Sequence, residues 1–150
     1  MLLTCQLTAT GFLPSFQING MTFGQVEVAA TEAERERGLM NRDYLPEGAG
    51  MIFIFDKPGL HCFWMSNTLV PLDVIFLDAE GTVVSVATMV TEPPRKSDES
   101  VSAYEARLPL YCSKGLCSSA LEVPAGTAKM IGLKTGDTIP ELSTAKLLKP

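Results

Sequence analysis

The chain has 150 residues, 46% of them hydrophobic. That is enough for one domain with a real core, and it excludes a disordered chain. Twelve basic against seventeen acidic residues leave a net charge of −5, which argues against a sequence-independent grip on nucleic acid, because such a grip needs a basic surface. No apolar run reaches the ~18 residues a membrane span requires.

Residues 1–20 read as a loosely held N-terminal arm with at most a short edge strand. The opening MLLTCQLTATGFLP has an apolar start but no basic residue, so it makes a poor signal peptide, though it could be the remnant of one. A single domain is expected over 21–140. Residues 23–30 (FGQVEVAA) alternate Val26 and Val28 with polar neighbours, the pattern of a half-buried strand. Thr31 and Glu34 match a capping box and start a short helix at Glu32, which Gly38 stops in a left-handed conformation. Leu39 and Met40 then anchor the helix end to the core. Of the helix arginines, Arg35 reads as solvated charge, and Arg37, next to the anchored end, is a candidate partner for Asp73.

After a polar loop over 41–50, MIFIF at 51–55 is a buried strand. Residues 56–59 are expected to turn, so that 51–65 forms a hairpin. The stretch 61–78 (HCFWMSNTLVPLDVIFLD) organises the chain. Two apolar runs flank the polar knot Ser66-Asn67-Thr68, and Trp64, the only tryptophan, precedes it. Along 72–78 both alternating faces are largely apolar, which predicts a central strand covered on both sides. Asp73 therefore lies on an apolar face, and a buried carboxylate must find a partner, a shifted pKa or a water-filled pocket. A turn over 78–81 and a strand over 82–89 complete a second hairpin. Residues 91–110, with two prolines and many charges, read as a long, mobile surface loop. A strand over 118–123, a turn over 124–126, one helical turn over 127–131 closed by Gly132, and a last short strand at Thr138 and Ile139 follow, with 141–150 as a C-terminal tail.

The motifs Glu36-Arg37-Gly38-Leu39-Met40, Gly50-Met51-Ile52-Phe53, Trp64-Met65-Ser66-Asn67-Thr68, Pro71-Leu72-Asp73-Val74-Ile75-Phe76, Leu121-Glu122-Val123-Pro124-Ala125-Gly126 and Gly136-Asp137 occur in the order and spacing of the DUF192 family. The resemblance runs from about Phe23 to Ile139. It implies a compact β-rich sandwich or barrel in a family of mostly bacterial or archaeal single domains, often exported, and it implies no particular activity. The expected fold is mainly β: a compact antiparallel sandwich or barrel-like domain with one short N-terminal helix and a single helical turn near the C-terminus.

The chemical readings are sparse. His61 and Cys62 are neighbours that point to opposite faces of a strand, and Cys112 and Cys117 have no second pair, so neither a metal site nor Cys–His nucleophilic catalysis is well supported. Cys112 and Cys117 could close a small disulfide loop if the protein is exported, and stay free thiols in a reducing compartment, so the pairing is left open by the sequence. Carboxylate-pair hydrolysis would join Asp73 to Asp56 or Glu122, but Asp56 reads as a turn residue and Glu122 as the solvent face of a strand. What survives is a small-ligand pocket lined by Trp64, Asn67, Thr68 and Asp73, with Arg37 and Met40. It would hold a small polar, carbohydrate-like ligand and no cofactor. Against it stands the plain alternative: Trp64 as core, Asn67-Thr68 as a turn bonding its own backbone, and Asp73 as an internal polar tie. An interaction module using 91–110 is the rival function, and a hydrolase is the remote one. Oligomeric state is open.

Overall fold

The computed structural model describes residues 11–149. The signal-remnant reading and Cys5 fall in 1–10, outside the described residues. The chain is mainly β. Nine strands run in order: β1 (Phe16–Ile18), β2 (Met21–Phe23), β3 (Gln25–Ala29), β4 (Ala49–Gly59), β5 (Cys62–Phe63), β6 (Leu72–Leu77), β7 (Val83–Met89), β8 (Tyr111–Cys112) and β9 (Cys117–Pro124). Four short helices join them: α1 (Glu32–Arg37), α2 (Val101–Ala106), α3 (Thr127–Met130) and α4 (Thr144–Leu147), with a 3-10 turn over Pro140–Leu142.

Five strands form one sheet in the order β3-β4-β9-β6-β7. The sheet is open and mixed, because β3 and β4 run parallel while the other pairs are antiparallel. The parallel step follows from α1, whose crossover returns the chain in the direction it came. The sandwich or barrel expectation thus narrows to an open mixed sheet flanked by two small ladders, β1–β2 and β5–β8.

β9 is the middle strand, and every residue from Cys117 to Val123 is buried. One face of the sheet carries Ile52, Ile75, Leu77, Leu121 and Val123. It is covered by Phe16, Ile18 and Phe23 of the β1–β2 hairpin and by Ile131, Leu142 and Leu147 of the C-terminal segment. The opposite face carries Met51, Phe53, Val74, Phe76 and Ala120, packed under Leu39 and Met65.

The β6–β7 hairpin, the capping box at Thr31 and the strand at β9 stand as expected. Several expectations change. β4 does not turn at 56–59 but runs on to Gly59, and β5 pairs with β8 rather than β4, so 51–65 is no hairpin. Pro58 is tolerated because pairing with β9 is interrupted between Ile54 and Gly59. The supposed arm contains β1, whose Phe16 stacks on Phe23 with ring centroids 5.5 Å apart. Asn19 and Gly20, both at positive φ (48° and 88°), make the turn to β2. The supposed tail docks Leu142 and Leu147 into the core. Gly81 lets it approach, since a Cβ there would stand 2.3 Å from the Ile139 carbonyl oxygen.

Candidate functional site

The carboxylates Asp73 and Glu122 lie on opposite faces of the sheet. Asp73 shares its face with Ile75, and Glu122 shares its face with Ala120. Strand parity decides this, because neighbouring residues point apart.

Asp73 is buried and fully engaged. Its Oδ1 accepts from the Thr88 hydroxyl at 2.7 Å and its Oδ2 from the Ala128 N–H at 3.0 Å. It ties β7 and the start of α3 to β6. The expected partnership with Arg37 is therefore replaced by a hydroxyl and a helix-end amide, and Asp73 leaves the pocket. Its sequence-level alternative, an internal polar tie, is the one realised.

The other predicted residues do converge. A cleft of about 1290 Å³ is lined by Arg37, Met40, Trp64, Asn67 and Thr68, with Phe53 and Phe63 on its wall and Glu122 at its base on the sheet. α1 delivers Arg37 to the rim. Gly38 then turns the chain at φ 46°, and Leu39 drops into the core. Asn41 N–H donates to the Asn67 carbonyl at 2.8 Å, which fastens the helix exit to the 66–68 knot. The knot is a turn bonding its own backbone: Thr68 N–H donates to Met65 O at 3.3 Å, and Thr68 Oγ1 to Ser66 O at 3.0 Å. Asn67 adopts a left-handed φ of 50°. Its N–H donates to the Tyr104 hydroxyl at 2.9 Å. Trp64 is 37% exposed, so it is a rim residue rather than core.

Residues 91–110 are the support under this turn. They contain α2, whose Tyr104 is buried. Arg107 lies over the Tyr104 ring at 4.8 Å, binds both Glu99 carboxylate oxygens and donates to the Pro93 and Pro94 carbonyls. The Arg107 guanidinium holds the Glu99 carboxyl down at about 2. The expected mobile loop is thus internally bonded. Ser100, which caps α2 through Ala103 N–H, was its legible signal.

Sequence reasoning missed Glu122. It sits in the central strand between Met51 of β4 and Val74 of β6 and is buried, not solvent-facing. Gly50 makes the close approach of β4 to this point possible, since a Cβ there would stand 2.2 Å from the Glu122 carbonyl oxygen. Among the described residues no hydrogen-bond donor engages its carboxyl, and burial pushes it up to about 8. It is therefore mostly a neutral acid at pH 7. The signal was present: a strand of small and apolar residues buried on both faces makes any carboxylate in it suspect, by the argument already applied to Asp73.

Arg35 is likewise not solvated charge. It donates to the Ala30 and Ile54 carbonyls at 2.6 and 2.9 Å and pairs with Asp56 at 3.2 Å. His61 stacks on Phe55 with centroids 3.6 Å apart, and its Nε2 lies 3.2 Å from the Lys57 carbonyl. The disulfide joins Cys62 to Cys112 across the β5–β8 ladder. The Cys112–Cys117 loop that the sequence left open does not form: Cys117 belongs to β9 and is buried as a free thiol. Burial raises the Cys117 thiol's pKa, which disfavours the thiolate a nucleophile needs. Among the described residues no three His, Cys, Asp or Glu side chains gather as a metal site would require.

The DUF192 family model, described as "Uncharacterized ACR", matches residues 15–140. A UPF0127 protein of Pyrococcus abyssi (strain GE5 / Orsay) is 31% identical over 121 residues, which cover 77% of this chain and 85% of that protein. Two crystal structures are similar, each 29% identical. A putative transcription regulator from Sinorhizobium meliloti 1021 has a TM-score of 0.63, with 83% of this chain and 87% of that one covered. A protein of unknown function from Novosphingobium aromaticivorans DSM 12444 has a TM-score of 0.64, with 92% and 96% covered. The family match takes in the α1 exit, the 66–68 turn and Glu122 together, and the chain belongs to the DUF192 family.

Proposed function

We propose that this protein is a small-ligand-binding module whose site is the cleft between α1, the 66–68 turn and β9. The observation that carries the reading is Glu122: a buried carboxyl without a partner at the base of a cleft walled by Phe53, Phe63 and Trp64. A ligand donor can hydrogen-bond this carboxyl, and the aromatic wall takes the ligand's apolar face. The side chains of Asn67 and Arg37, which line the cleft, make no hydrogen bond to any described residue and are free to add directional contacts. A carbohydrate-like ligand, with one apolar and one hydroxylated face, fits this mixture.

The Cys62–Cys112 bridge favours an oxidising compartment, in line with export. One similar structure is described as a putative transcription regulator; for this chain a net charge of −5 disfavours a phosphate-tracking surface. The rival role for 91–110 as a partner-binding loop loses weight, because its Tyr104 and Arg107 are spent supporting the site.

Trp64 is the only tryptophan, so its fluorescence reports the cleft directly. Acrylamide and iodide should both quench it, and a sugar or small polar metabolite that binds should protect it. If no compound in a broad panel alters the quenching, the pocket reading fails.

A further inference from the structure

We propose that the group this cleft selects is an organic ammonium, seated at the Glu122 carboxyl with its carbon body against the aromatic wall. The inference rests on the ligand-binding reading and names its ligand class.

Glu122 is flanked on the sheet by Met51 and Val74, and no described donor reaches it. A cationic guest can supply the counter-charge, and a hydroxyl or N–H on it a hydrogen bond. The aromatic rings Phe53, Phe63 and Trp64 line the same cleft, and ring faces attract cations, more strongly where water is excluded.

The charges around the cleft agree. α1 contributes Glu32 and Glu36, and α2 contributes Glu105. Asp56 and Arg35 cancel each other in an ion pair. That leaves Arg37 and Lys57 as the opposing cations, so the rim stays acidic by one charge even before Glu122 ionises. His61 also lines the cleft, with its Nε2 lying 3.2 Å from the Lys57 carbonyl. A cation entering such a site displaces the Glu122 proton, because an opposite charge favours the ionised form. Binding should therefore strengthen as pH rises. With the carboxyl at about 8, its ionised fraction climbs from about 1% at pH 6 to about 90% at pH 9, and the affinity for a permanently charged guest should rise by several tens of fold.

The test is titration of the full chain with choline, whose charge does not titrate, beside dimethylbutanol, its neutral carbon isostere, by calorimetry and Trp64 quenching from pH 6 to pH 9. The expected result is binding of choline over the isostere, growing with pH, and loss of both the preference and the pH dependence in Glu122→Gln with unchanged Tm at pH 4. Equal binding of the two compounds, or affinity that falls with pH, overturns the ammonium inference. Binding of neutral sugars without choline also overturns it and leaves the pocket reading standing. Silence of Trp64 toward every compound overturns both.

Discussion

Replacing Glu122 by Gln should make the protein more stable at alkaline pH, and the structure sets the size of the effect. Burial raises the folded-state carboxyl from its ordinary 4.5 to about 8. Below pH 4.5 the group is neutral in both the folded and unfolded chain, and its ionisation costs folding nothing. Between 4.5 and 8 the unfolded chain releases a proton that the folded chain keeps, so stability falls by about 1.4 kcal/mol per pH unit. Above 8 the loss is complete. The span of about 3.5 pH units gives about 5 kcal/mol, and water admitted by the cleft brings the expected loss to about 2–5 kcal/mol. Gln has nearly the same shape and no charge, so it escapes this slope. The assay is urea unfolding of both proteins at whole pH units from 5 to 9, followed by Trp64 fluorescence. The difference between variant and wild type should widen steadily up to pH 8 and then level off. A constant difference across that range refutes the claim that Glu122 is a buried, partnerless acid.

Asp73→Asn should cost about 2 kcal/mol, because one carboxylate oxygen that accepts from Thr88 or Ala128 becomes a donor. It should leave Trp64 quenching unchanged, since Asp73 lies on the far face; altered quenching would put Asp73 back at the site. Reducing the Cys62–Cys112 bridge, which spans 50 residues, should destabilise the chain by about 4 kcal/mol on the loop-entropy argument. A peptide map of the unreduced protein should show Cys62 linked to Cys112; a Cys112–Cys117 peptide would contradict the structure. Tyr104→Phe removes the acceptor of the Asn67 N–H at a cost of about 1 kcal/mol. It should speed hydrogen exchange at Asn67, and an unchanged rate would show that α2 does not support the turn.

What the sequence determined by itself is local. The capping box at Thr31 and Glu34, the stop at Gly38 and the β6–β7 hairpin were legible because each depends on residues a few positions apart. The need for a partner at Asp73 was legible because strand alternation fixes which side chains share a face. The convergence of Arg37, Met40, Trp64, Asn67 and Thr68 was legible as a polar and aromatic mixture, though not as a shape. What only the tertiary structure decided is long-range pairing. No local pattern says that β9, late in the chain, inserts between β4 and β6, and that insertion alone turns Glu122 from a surface acid into the base of a cleft. The same pairing swept Cys117 into the core and left Cys112 opposite Cys62. It also carried the C-terminal residues Leu142 and Leu147, polar in their surroundings by sequence, onto the apolar face that the sheet offered them. Burial is a property of the assembled sheet, and a side chain's neighbours across strands are set by register and order, which segments distant in sequence settle together.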